Sequence, residues 1–219
     1  MPKIVDHEQR RAELASTAVE VFARQGFEET AMLDIAEAAG VAKGSLYRYF
    51  TSKDDLLSYI TRDFVDAFDR STRETISQAG NPEEKLRLFI GEFFVFITDF
   101  ESLLRVYAEI WMYNLKGKYR DMKELFDDYL DQYRHTIADI IEEGRRVGVF
   151  RDDVDPRHTA ISLMAFLDGI GIHYLYDESG FDVKVVAESF LETYLAGLRT
   201  PRNNRPASRP ADMERSRKK

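Results

Sequence analysis

The sequence predicts an all-α fold of about nine helices, and three observations carry that prediction. Apolar residues recur at helical spacing almost from end to end. No stretch alternates apolar and polar side chains as a half-buried strand does. Glycine and proline are sparse, and most fall between the periodic stretches.

Taken in order, the first helix runs from His7 to Gln25. Asp6 is placed to cap it with Gln9 as the capping-box partner, Leu14, Ala18, Val21 and Phe22 form its inner stripe, and Gly26 ends it. Two short helices follow, Met32–Ala39 and Lys43–Phe50, with the turn Gly40-Val41 between them. A long helix from Lys53 to Gln78 stops ahead of Gly80-Asn81-Pro82, and Pro82 suits the first turn of the next helix, which reaches Thr98. Helices over Glu101–Leu115 and Tyr119–Arg146 come next, closed by Lys116-Gly117 and Gly148. Asp155-Pro156 opens a helix to Tyr176, Ser179-Gly180 breaks it, and Val183–Leu198 is the last. The expected organisation is an N-terminal domain over 1–52, a helical domain over 53–198 and a basic tail over 199–219, too poor in apolar residues to order itself and so expected to be disordered.

The chain has 219 residues, 44% of them hydrophobic and 32% charged, enough apolar material for a real core. It has no cysteine, which excludes disulfides, thiolate metal sites and cysteine nucleophiles. No HExxH, GxSxG, Gly-rich phosphate loop or Glu-x-x-His pair occurs, so no catalytic residue, no metal site, no cofactor and no enzymatic activity are expected. The start is polar, without a signal peptide's apolar stretch. The run Leu88–Phe100 holds Glu92 and Asp99 and is shorter than the ~20 apolar residues that span a bilayer. A cytoplasmic protein with no membrane partner is expected. Net charge is −8, yet residues 199–219 carry eight basic and two acidic side chains, so the rest is more acidic still. Any contact with nucleic acid must therefore come from a local basic face.

That face is found in Thr30–Lys53. Two short helices and a tight glycine-containing turn make a helix-turn-helix. Leu46 and Phe50 are spaced to form the buried side of the second helix, and Lys43, Gly44, Ser45, Tyr47, Arg48 and Tyr49 are left outside. Gly44 permits close backbone approach, and Arg48 can donate two hydrogen bonds to a guanine. Tyr47 and Tyr49 offer rings to thymine methyls and hydroxyls to phosphates. Lys43 and Lys53 can neutralise phosphates, which sets affinity and register rather than sequence preference.

The segment resembles the TetR family of transcriptional regulators. The resemblance rests on Phe22, Gly26, Phe27, Thr30, Ile35, Ala36, Ala39, Gly40, Val41, Lys43, Gly44, Leu46, Tyr47, Tyr49, Phe50, Ser52 and Lys53. Further along, EEGRRVGVFRDDVDP and LMAFLDGI look like that family's junction and dimerisation helix. The resemblance implies three DNA-binding helices, a connecting fourth helix, and a helical ligand-binding and dimerisation core. It implies DNA contacts from Gly44, Tyr47, Arg48, Tyr49 and Lys53, with Met32 and Leu33 also near DNA. Ala31 and Ala42 depart from the usual Ser or Thr, and Thr30 is expected to cap one residue early instead.

The C-terminal part is rich in aromatics, which fill a core or enclose an apolar pocket. Pocket candidates are Phe93, Phe96, Tyr107, Glu109, Trp111, Tyr129, Tyr133 and Asp168, with Asp99 and His173 as further polar groups. A carboxylate buried beside aromatics can hold a cation, and the bland alternative is exposure or an internal pair. Met164, Leu167, Gly171, Tyr174, Phe190 and Tyr194 are the expected dimer contacts. The expected partners are operator double-stranded DNA, a small effector of apolar or aromatic character, and a second copy of the chain. A ligand-released repressor is the favoured reading; a ligand-dependent activator and a protein-interaction module without DNA binding remain open.

Overall fold

The computed structural model describes residues 7–115, 117, 120–177 and 180–201. Asp6 and the basic residues of the tail from Arg202 onward lie outside the described residues. Among the described residues there are nine helices: α1 (His7–Gln25), α2 (Met32–Ala38), α3 (Lys43–Leu46), α4 (Lys53–Ser77), α5 (Pro82–Asp99), α6 (Glu101–Leu115), α7 (Arg120–Arg146), α8 (Pro156–Tyr176) and α9 (Val183–Leu198). The α-helix of α3 is shorter than expected. After Leu46 the chain tightens into i to i+3 bonds, Arg48 N–H to Ser45 O and Tyr49 N–H to Leu46 O, before Phe50 anchors it.

Breaks legible in the sequence act through caps. Ser52, Asn81, Asp155 and Asp182 each accept a backbone N–H from the first turn of the helix they precede, and Pro82 and Pro156 stand in first turns. α2 and α3 lack such an oxygen. Ala31 is instead served in reverse, its N–H donating to Asp34 at 2.7 Å. Thr30 does not cap: its hydroxyl donates back to the Gly26 carbonyl at 2.6 Å.

The N-terminal domain closes over Leu14, Ala18, Val21, Phe22, Phe27, Ile35, Leu46 and Phe50, all buried. The Arg11 guanidinium lies 5.1 Å from the Phe50 ring and 4.4 Å from the Tyr59 ring, tying α1 to the end of the helix-turn-helix and to α4. In the larger domain α5 is central, with Leu86, Phe89, Ile90, Phe93, Phe96 and Ile97 buried. The α7–α8 junction needs glycine at one place: a Cβ on Gly144 would sit 2.0 Å from the Phe150 ring.

Arg199 and Thr200 were expected to open the tail, but they belong to the body. Phe150 and Arg199 form an isolated antiparallel bridge, and Thr200 N–H donates to Val149 O at 3.0 Å. The Arg199 guanidinium also forks onto Glu83 at 2.9 and 2.7 Å and holds that carboxyl below its ordinary pKa.

Candidate nucleic-acid interface and effector cavity

The helix-turn-helix presents its polar side outward. Lys43, Gly44, Tyr47 and Arg48 are exposed, Ser45 and Tyr49 are half-buried, and Leu46 and Phe50 are fully buried beneath them. Tyr47 lies under the Lys43 ammonium at 5.8 Å, and Arg48 reaches Ser45 Oγ at 3.3 Å, a weak bond that leaves the guanidinium available. Tyr49 packs its ring against His7 at 4.6 Å. Of the two residues placed near DNA by resemblance, Leu33 is exposed and Met32 is buried in the core.

Lys53 requires a correction. Its ammonium donates to the carbonyls of Phe27, Glu28 and Thr30 at 2.5, 2.9 and 3.0 Å and sits 4.6 Å from the Phe27 ring. An ammonium has three donors, and all three are committed, so Lys53 is a brace for the α1–α2 loop rather than a phosphate ligand. Replacing it by Met keeps the stem and removes its three bonds to the loop carbonyls. Lys53→Met is expected to cost roughly 2–3 kcal/mol and to lower the melting temperature by about 5–10 °C, read by calorimetry; an unchanged transition overturns the brace.

Glu109 requires another correction. It is not in the lining of the cavity between α5, α6, α7 and α8. From α6 it accepts Phe27 N–H at 2.8 Å and, more weakly, Glu28 N–H at 3.4 Å. Gly26 turns the chain here at φ +86°, a conformation that favours glycine, whereas a Cβ would meet the carboxylate only in ordinary contact at 3.5 Å. The loop at 26–30 is thus held on both sides, its N–H groups by α6 and its carbonyls by α4. Sequence gives no signal for this, because the partner atoms are backbone atoms 81 and 82 residues away.

A cavity of about 220 Å³ lies between α5, α6, α7 and α8. It brings together six of the expected residues: Phe93, Phe96, Tyr107, Trp111, Tyr129 and Asp168. Tyr133 lies behind it, its ring 4.3 Å from that of Tyr129 and nearer a groove beside Asp69 and Arg73. The reading from sequence missed Leu104, Ala108 and Leu115, which share a stripe with Trp111 at three- and four-residue spacing; that spacing was the available signal. Burial raises the Tyr107 and Tyr129 hydroxyls well above the ordinary phenol pKa. It also pushes the Asp168 carboxyl up to about 7, against a lowering pull from Arg134. Asp99 instead faces an open cleft beside α1 and α4, and His173 is exposed.

The expected dimer contacts divide. Met164, Leu167 and Gly171 are buried within the monomer's own core, with Gly171 against Leu104, so they are not a free surface. α8 is apolar all round, and such a helix offers no period from which to tell its inner side from its outer one. The open face is Ile161 (50% exposed), Ala165, Ile172 (47%) and Tyr176 (90%), with Val185 (60%) on α9. Tyr174, Phe190 and Tyr194 are half-buried; Phe190 stacks on Phe166 at 3.4 Å, and Tyr194 donates to Thr159 O at 2.8 Å. Among the described residues α8 is also the one helix long and apolar enough to cross a bilayer, a better candidate by length than Leu88–Phe100, and one third of it is buried.

Comparison with known proteins sets this geometry in context. Residues 14–60 match the family described as bacterial regulatory proteins, tetR family, and residues 82–200 match the C-terminal part of BetI-type transcriptional repressors. The HTH-type transcriptional repressor KstR2 of Rhodococcus jostii is 28% identical over 198 residues, 89% of this chain and 93% of that protein. A transcriptional regulator from Saccharomonospora viridis, solved with choline, superposes with TM-score 0.77 at 27% identity over 89% of this chain and all of its own. FadR of Bacillus subtilis, solved with stearoyl-CoA, superposes with TM-score 0.75 at 24% identity, covering 86% of this chain and 99% of its own.

Proposed function

The chain belongs to the TetR family of bacterial regulatory proteins, and from that premise we propose that it is a cytoplasmic repressor that binds a palindromic operator as a homodimer and leaves it when a small molecule fills the α5–α8 cavity. α6 carries this reading, because one helix serves both sites. Leu104, Tyr107, Ala108, Trp111 and Leu115 line the cavity, while Glu109 holds the loop ahead of α2. A ligand that moves α6 moves the reading head with it.

Each reading head presents Lys43, Gly44, Ser45, Tyr47, Arg48 and Tyr49 to a major groove. Two heads must meet grooves one helical turn apart, about 34–36 Å on B-DNA, so their spacing decides affinity. DNA and ligand favour different spacings, and each therefore weakens the other. Choline and stearoyl-CoA, the ligands of two structural neighbours, differ widely in size and charge, so the fold alone does not name the effector. A cavity of about 220 Å³ suits a small molecule with apolar or aromatic character.

The second copy covers the open face of α8 and α9, making a four-helix bundle. Introducing charge there, with Ile161→Asp and Val185→Asp combined, is expected to give a folded monomer. Its operator affinity should fall at least ~100-fold, as the second head's contribution is lost. Sedimentation velocity checks the first point and fluorescence anisotropy the second; a dimer of unchanged affinity would remove this face from the interface. The whole reading is tested by anisotropy on DNA from upstream of the chain's own gene: expected is tight, salt-sensitive binding that a cavity ligand reverses, and no binding, or binding that every cavity ligand leaves intact, overturns it.

A further inference from the structure

We propose that the effector is a compact organic cation, held against the Asp168 carboxylate inside a cage of aromatic rings. This rests on the α5–α8 cavity being the effector site, and it adds the sign of the ligand's charge and the residue that reads it.

The cage comes first. Phe93, Phe96, Tyr107, Trp111, Phe126 and Tyr129 line the cavity from three helices. Their faces carry the negative side of the ring quadrupole, so an enclosed cation is attracted from several directions. Neutral apolar ligands would be equally welcome in such a space, so the rings alone do not decide.

Charge decides. Lys123 and Asp127 also line the cavity, but they pair with each other and cancel. Asp168 is then the single uncompensated charge of the lining. Among the described residues its carboxylate has no hydrogen bond and no salt bridge. The groups that bear on it are Arg134, Lys123, Asp127 and Tyr129 from α7 and Tyr107 from α6; α5 contributes only phenylalanines. Arg134 makes no ion pair with it: one Nη donates to Asp131 at 3.1 Å, and its pull on Asp168 is smaller than the opposing effect of burial. A carboxylate kept half-buried without a partner is costly to the empty protein. A ligand cation is the partner that removes the cost. The cavity's volume, below the ~300–1,000 Å³ usual for drug-sized ligands, restricts that cation to a compact one.

Burial raises the Asp168 pKa to about 7, which makes two consequences measurable. Cation affinity is full above that pH and falls as the pH drops through it, because the protonated acid offers no charge. The empty protein behaves in the opposite sense: it is favoured at low pH, and that advantage is lost as the pH rises through 7.

The test uses the full-length dimer with benzyltrimethylammonium and its uncharged carbon isostere, neopentylbenzene. Wild type, Asp168→Asn and the cavity-filling Ala108→Phe are compared by titration calorimetry and operator release at pH 6 and 8. The expected result is binding and release by the cation at pH 8, about tenfold weaker binding at pH 6, and much weaker binding of the isostere. Asp168→Asn should weaken the cation about 30-fold or more while raising the melting temperature of the empty protein at pH 8. Equal binding of both probes by wild type and Asp168→Asn overturns the cation while leaving the cavity as effector site. Absence of cation binding to wild type overturns it too. Release of the operator by the cation from Ala108→Phe as readily as from wild type overturns the cavity assignment itself.

Discussion

Tyr47→Ala and Arg48→Ala are each expected to reduce operator affinity by about 30-fold or more while leaving the fold unchanged. Both side chains are exposed and neither is part of the buried face formed by Leu46 and Phe50. A well-placed arginine contact to a guanine edge is worth about 1–3 kcal/mol, and the dimer makes each contact twice, so the loss is about 2–6 kcal/mol per operator. The two variants should differ in kind. Loss of Arg48 relaxes preference at one base position in each half-site. Loss of Tyr47 removes stacking and a hydroxyl contact, so operator and unrelated DNA suffer more nearly alike. Anisotropy with the operator and with single-base variants separates these patterns, and circular dichroism checks the fold. Wild-type affinity in both variants would remove this face from the interface. The expectation concerns Lys43, Tyr47 and Arg48 and no longer Lys53, whose three donors are already used by the loop behind it.

The contrast between Arg48 and Lys53 shows where sequence reasoning succeeds. Helix boundaries rest on local chemistry, and local chemistry is written in adjacent residues: Asn81-Pro82 and Asp155-Pro156 cap and start α5 and α8 where expected. The outward face of α3 follows equally from spacing, because Leu46 and Phe50 leave one side uncommitted. Lys53 looks like a phosphate ligand in one dimension because the carbonyls it serves come from residues 23 to 26 positions earlier. Glu109 beside Ile110 and Trp111 reads as a pocket carboxylate for the same reason. On the helix it points about 100° away from Ala108 and toward the other domain. Asp168 was legible as a polar residue in an apolar helix, and the structure adds what is near it. The free face of α8 was not legible, since a helix apolar on every side hides which side the monomer covers.

Glu109 therefore carries the second large expected effect: Glu109→Ala is expected to separate effector binding from DNA release. Between sites in one protein, coupling of 1–3 kcal/mol is typical and changes operator affinity 5- to 150-fold. Here the coupling must pass from the cavity to the reading head, and α6 touches both. Its polar links to the head include the pair of bonds from Phe27 N–H and Glu28 N–H, beside one from Ser102 to Glu20. Bonds to a charged acceptor are worth about 1.5–3 kcal/mol each when well formed, comparable to the coupling itself. Without them α6 can shift under a ligand while the loop, still braced by Lys53 to α4, stays in place. The alanine variant should bind the effector with close to wild-type affinity in the absence of DNA. With the effector at saturation its operator affinity should fall by less than about threefold, against the 5- to 150-fold of typical coupling. Glu109→Gln, which retains one acceptor oxygen, should be intermediate and separates loss of the link from loss of stability. The measurement is a linkage square: effector affinity with and without operator, and operator affinity with and without effector, in all three proteins. Full coupling in Glu109→Ala at unchanged thermal stability would mean that α6 drives the head by other contacts, the Ser102–Glu20 hydrogen bond and the packing of α1 on α6. Loss of coupling together with intact binding at each site would place the signal in those two hydrogen bonds. The glycine at position 26 is then explained by the φ of +86° that turns the loop toward α6, a conformation other side chains rarely adopt.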